Sequence, residues 1–152
     1  MSEPPMMPVG TSGSSRAAPP APSVTGDGDV WGVVAIALGV FITIAGVMHF
    51  VSPGFFDAIV PPWLGPSERF WTYASGVAEL VVGPMLLVDR TRVWGARAAI
   101  VLFIVVYPAN LYMVWDWRDR SIPEQVVSWI RLPFQFVLIW LAWRVSRRTS
   151  SR

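Results

Sequence analysis

Five residues stand out as able to do chemistry: His49, Glu79, Asn110, Arg131 and Gln135, each interrupting an otherwise apolar stretch. An ionisable or amide side chain away from water is costly unless it is paired, so each needs a local reason. A histidine exchanges protons near neutral pH. A buried glutamate can hold or relay one. An arginine fork on a carboxylate is a pairing that tolerates low dielectric. Arg131 and Glu79 are therefore expected to face each other and line a small polar pocket. His49 and Asn110 would complete its rim, with Gln135 behind. Plainer readings stay open beside this one. His49 could be an interfacial residue and Arg131 could snorkel to the surface. Asn110 could simply bind helices together, and Glu79 could be protonated and structural.

Much other chemistry is excluded. The chain has no cysteine and one histidine, so it offers no disulfide, no thiolate metal site and no bis-histidine haem ligation. There is no HExxH, P-loop or GxGxxG motif. No cluster of carboxylates and histidines suggests a metal, and no catalytic residue is assigned. A net charge of +2 is too small to argue for nucleic acid.

The elements that must position the five residues follow from hydropathy. Only 14% of the residues are charged, against about a quarter in soluble domains. The deficit comes from four apolar stretches, over about 30–51, 70–88, 94–115 and 125–145, each long enough to cross a hydrocarbon core of about 30 Å. The predicted fold is all-α: a transmembrane four-helix bundle over 30–145, multi-pass in the cell membrane with the lipid bilayer as its surroundings. Residues 1–29 hold six of the fourteen prolines and little to bury, so a disordered tail is expected there. Residues 146–152 read as a short basic tail. Every basic residue is an arginine. Eight of them (Arg16, Arg90, Arg92, Arg97, Arg144, Arg147, Arg148, Arg152) fall on the side of the two termini and four (Arg69, Arg118, Arg120, Arg131) on the other, which predicts cytoplasmic termini. Four prolines between Pro53 and Pro66 forbid a continuous helix. That segment reads as a loop in the headgroup region anchored by Phe55, Phe56 and Trp63. Most of the nine tryptophans, Trp117 among them, fall at span boundaries as an aromatic belt. Gly32, Gly39 and Gly46 recur at seven-residue spacing as a candidate packing face. Pro84, Pro108 and Pro133 lie inside spans, where kinks could open a cavity or only tune packing.

Depth places the polar residues in one half of the bundle. His49, Asn110 and Arg131 fall roughly 3–9 Å below the outer boundary, and Glu79 and Gln135 roughly 14–15 Å.

Three segments carry a family resemblance. Span one ends Gly46-Val-Met-His49-Phe50, followed by Pro53, Phe56 and Ile59-Val-Pro61-Pro62-Trp-Leu64. Span two holds Tyr73-Ala-Ser75-Gly76-Val-Ala-Glu79, and span three Tyr107-Pro108-Ala109-Asn110-Leu-Tyr112-Met113. Taken in order over about 30–145, these resemble the DoxX-like family of small four-span bacterial membrane proteins. Gly65 stands where that pattern has a further proline, and the N-terminal tail has no counterpart. The resemblance implies a four-helix bundle and work with membrane oxidoreductases: a quinone-reducing thiosulfate enzyme, or assemblies with a superoxide dismutase and a sulfurtransferase. More distant relatives are membrane chaperones. Two functions follow as expectations. One is a non-thiol redox subunit that binds a quinone-like headgroup through His49, Asn110 and Arg131, with Glu79 relaying protons and partner redox proteins supplying electrons. The other is a non-catalytic scaffold or chaperone. Oligomeric state stays open.

Overall fold

Four helices of the computed structural model, which describes residues 27–149 and their side chains from 30 to 147, are long and apolar enough to cross a membrane. They are α1 (Asp27–Val51), α3 (Glu68–Leu87), α4 (Arg92–Asp116) and α5 (Ile122–Thr149). A short α2 (Pro53–Asp57) follows α1, and a 3₁₀ turn (Trp117–Asp119) joins α4 to α5. The tail expected over 1–29 lies outside the described residues as far as position 26. From Asp27 the chain is already helical, so α1 begins three residues before the expected span. Helices continue past their apolar stretch because polar first and last turns are solvated at the interface. Ser67 caps α3 by accepting from the Phe70 amide at 3.2 Å. At α5 the Glu124 carboxylate reaches back to the Ser121 amide at 3.1 Å and hydroxyl at 2.6 Å. That is the carboxylate half of a capping box in Ser121-Ile-Pro-Glu124, and it starts the helix ahead of the expected Gln125.

The helices close a ring: α1 packs on α3, α3 on α4, α4 on α5, and α5 back on α1. Large apolar side chains such as Val33, Ile44, Val77, Val105 and Ile130 face outward. Lipid-facing helices require this pattern. The bundle is a multi-pass membrane architecture, with the start of α1 and the end of α5 at one end (the terminal end) and α2 at the other (the α2 end).

The closest approach is between α1 and α3. A Cβ on Gly39 would lie 2.8 Å from the Gly83 carbonyl, and one on Gly46 would lie 3.1 Å from the Gly76 carbonyl. A Cβ on Gly83 would strike the Thr43 hydroxyl and lie 2.8 Å from its amide. Without a hydrophobic driving force between helices in lipid, such backbone contact is what holds the pair. Gly39 and Gly46 thus form the expected face. Gly32 does not, having nothing near its Cβ position. Its place in the motif is taken by a matching pair in α3, Gly76 and Gly83, which the span-one spacing did not reveal.

Three layers stack along the bundle. Toward the terminal end lies an apolar core of Ala35, Leu38, Ile42, Leu86, Ala99, Ala142 and their neighbours. Beneath α2 lies a smaller cluster of Ile59, Met113 and Trp117. The buried polar residues His49, Asn110 and Gln135 lie between them. Pro84, Pro108 and Pro133 all lie within helices but are exposed on the outside, so they do not line this layer.

Gly83→Ala should destabilise the bundle by about 1–3 kcal/mol, the range for overpacking. Gly32→Ala should be neutral. Thermal unfolding of the two variants in one detergent checks this, and equal midpoints would contradict the seam.

Candidate functional site

The α1–α3 seam decides which polar groups meet. Side chains on a helix lean toward its N-terminus. His49 therefore leans from the end of α1 into the bundle, while Glu79, on the antiparallel α3, leans toward the α2 end. The two converge, and His49 Nδ1 is 3.2 Å from Glu79 Oε2. The Cβ positions of Gly46 and Gly76 touch these same residues: a Cβ on Gly76 would lie 2.8 Å from His49 Cβ, and one on Gly46 3.0 Å from Glu79 Cβ. Glycines on both helices let histidine and glutamate share one level.

Nδ1 of His49 also lies 2.8 Å from the Ala45 carbonyl. A carbonyl only accepts, so Nδ1 carries the proton and Nε2 is left as an acceptor in the neutral ring. The Ala45 contact takes that proton in line. Glu79 Oε2 is left without a hydrogen-bond partner of good geometry among the described residues, although it is buried. Phe56 stacks on the His49 ring at 3.7 Å between centroids. The expected lipid anchor Phe56 is therefore a lid on the histidine. Phe55 and Trp63 are exposed, as anchors would be.

Arg131 does not pair with Glu79 as expected. Its Nη1 lies 3.8 Å from Met113 Sδ, and it acts on Glu79 and His49 only through its charge. The same leaning explains this: α5 runs away from the α2 end, so Arg131 points back toward that end. Glu79 meets the histidine instead.

Asn110 and Gln135 form a second motif, on α4 and α5. Gln135 Nε2 donates to the Phe103 carbonyl at 2.6 Å, and Asn110 Nδ2 donates to Gln135 Oε1 at 3.2 Å. The backbone carbonyl fixes the polarity of this chain. It can only accept, so Gln135 must offer its nitrogen there and its oxygen to Asn110, and Asn110 must offer its nitrogen in turn. Asn110 Oδ1 is left buried and without a partner among the described residues. The amide expected to donate to a ligand carbonyl presents an acceptor instead.

Asp57, Thr72 and Met113 were not among the expected residues. Asp57, at the end of α2, accepts from Arg69 (Nε 2.8 Å, Nη2 2.7 Å) and from the Thr72 hydroxyl at 2.7 Å. This latch ties the segment carrying Phe56 to α3. Its sequence sign is an acid beside Arg69 across a proline-rich loop. Trp117, expected in the belt, is 4% exposed. It packs under Ile59, and its Nε1 has no partner. The cleft beside it, about 420 Å³ and lined by Phe55, Trp117, Arg120 and Glu124, opens at the α2 end and does not include the five polar residues.

Burial raises the Asp57 carboxyl, but hydrogen bonds from Arg69 and Thr72 outweigh that and hold it below its ordinary range. A lowered folded value means the latch contributes fully above the unfolded value of about 3.9 and is lost as pH falls through the folded one. Unfolding midpoints measured as pH is lowered should show this acid loss in the natural chain. In Asp57→Asn the loss should be diminished, with a lower midpoint at neutral pH.

A family model described as a domain of unknown function, DUF8561, matches residues 38–146, which take in α3 and α4 whole, the greater part of α1 and α5, and every residue of the polar layer. No curated protein and no solved structure matches the chain. The chain belongs to the DUF8561 family.

Proposed function

We propose that this protein is the membrane subunit of an oxidoreductase system and that its polar layer receives the headgroup of a quinone-type molecule in the reduced, hydroxyl-bearing form. The observation that carries the reading is a pair of buried acceptors with no hydrogen bond of good geometry among the described residues: Glu79 Oε2, which has only the 3.2 Å approach of His49 Nδ1, and Asn110 Oδ1. A buried acceptor left unmade costs on the order of 1–3 kcal/mol, and a ligand hydroxyl would relieve it. A quinone carbonyl would not, because it also only accepts. Arg131 supplies a positive charge near Glu79 and His49. The resemblance to the DoxX-like family supports the redox setting. A bound hydroquinone would supply two-electron, two-proton chemistry. The chain's own groups would orient it and hold protons at Glu79 and at His49 Nε2. With no cysteine in the chain, electrons pass to a partner redox protein.

A second reading is a non-catalytic scaffold or chaperone. The Phe103–Gln135–Asn110 ladder favours it, because that ladder knits α4 to α5 whether or not a ligand is present. The orientation we propose places both termini in the cytoplasm. At the terminal end the described chain holds six arginines against three aspartates, and at the α2 end three arginines against five carboxylates.

The test is purification in mild detergent, extraction of bound lipid, and titration with matched reduced and oxidised quinone analogues. The reduced form should raise the unfolding midpoint more than the oxidised form. Glu79→Gln and Asn110→Leu should each shrink the difference while the protein stays folded. No copurifying quinone and no shift with either form would sink the redox reading. A stoichiometric partner captured by a chain that binds neither would support the scaffold.

A further inference from the structure

The arginines of the two ends are treated differently. At the α2 end each is bound to a carboxylate: Arg69 to Asp57 at 2.7 Å, Arg118 to Asp119 at 3.4 Å, and Arg120 to Asp116 at 3.6 Å and Glu124 at 3.5 Å. At the terminal end Arg92 is bound to Asp89, while Arg97, Arg144 and Arg147 lie over indole faces. Arg118 and Arg120 at the α2 end also lie over indoles, those of Trp115 and Trp117, but with carboxylates beside them. Arg144 lies over Trp31 at 4.6 Å and over Trp140 at 5.3 Å, and Arg147 lies over Trp143 at 5.3 Å. Among the described residues neither has a carboxylate partner.

We infer that Arg144 and Arg147 bind the phosphate of an anionic phospholipid at the seam between α1 and α5. A guanidinium stacked on an indole keeps its N–H edges free in the ring plane. Those edges fit phosphate oxygens in a bidentate fork. Arg144 is half-buried between Trp31 and Trp140, whose rings meet edge to face at 6.1 Å. Its side chain is thus held in place before a ligand arrives, and little rotamer freedom remains to be lost. The tryptophans belong to the interfacial level, where lipid phosphates lie. Ten residues further into the bundle, about 15 Å along α5, the same seam is lined by the edge-to-face pair Phe41 and Phe134, both exposed. That apolar rail suits an acyl chain, and it decides for a lipid over free phosphate. The excess of arginine over aspartate at this end agrees in sign.

The experiment is native mass spectrometry of the full chain released from bilayers of equal phosphatidylglycerol and phosphatidylcholine, with thermal shifts on adding each lipid. The natural chain should retain phosphatidylglycerol with roughly thirtyfold preference, the scale for two arginines facing anionic lipid. Arg144→Gln with Arg147→Gln should bring the two lipids to parity. Arg144→Lys keeps the charge without the planar fork and should lose several-fold; it also gives the reading if the double variant fails to fold. Arg118→Gln, at the opposite end, should leave the preference unchanged. Millimolar inorganic phosphate should not displace the lipid. Equal retention of the two lipids by the natural chain, full affinity in Arg144→Lys, an equal loss in Arg118→Gln, or displacement by phosphate would each overturn the proposal.

Discussion

The polar layer depends on the close approach of the α1 and α3 backbones. Lipid tails are as apolar as the side chains they would replace, so helices in a bilayer associate through packing and internal polar contacts. Here the packing is glycine against glycine, Gly39 with Gly83 and Gly46 with Gly76. No larger residue could occupy either pair without separating the helices. At that separation His49 and Glu79 lean into one another and Phe56 closes over the ring. Widening the seam would break the 3.2 Å contact between histidine and carboxylate. The Asp57 latch secures the lid from the other side, through Arg69 and Thr72.

Two backbone carbonyls then set the chemistry. The Ala45 carbonyl holds the proton on His49 Nδ1, and the Phe103 carbonyl orders the amides of Gln135 and Asn110. Neither can reverse its role. The unpaired capacity of Glu79 and Asn110 is consequently acceptor in character, while Arg131, engaged among the described residues only through Nη1 on Met113, is a nearby cation with donors of its own. In the proposed function the free carboxylate and amide oxygens would accept from a ligand hydroxyl, so the reduced member of a quinone couple would fit them better than the oxidised one.

The number of helices, their approximate limits and the five polar residues were legible in the sequence, because long apolar stretches and their interruptions are one-dimensional signals. Partner choice was not. Depth counted along each helix compares Cα levels, and it placed His49 and Glu79 roughly 11 Å apart. It ignores which way side chains lean. In an antiparallel pair the two lean toward each other and close that gap. Depth also carries no azimuth, so nothing in the spacing of Arg131 showed that it faces Met113. The matching α3 glycines Gly76 and Gly83 were present in the sequence, and only the fold shows that they oppose Gly39 and Gly46. Phe56 and Trp117 read as interfacial aromatics because their positions are interfacial. The fold of 52–67 over the end of α1 turns Phe56 inward, and the 3₁₀ turn buries Trp117.

The most direct measurement is ¹⁵N NMR of the imidazole in the folded protein in bilayers. His49 is the sole histidine, so its ring signals need no assignment. The neutral ring should carry its proton on Nδ1 and leave Nε2 bare, and Glu79→Gln should shift the Nδ1 signal. A neutral ring protonated on Nε2, indifferent to Glu79→Gln, would contradict the acceptor polarity on which the functional reading rests.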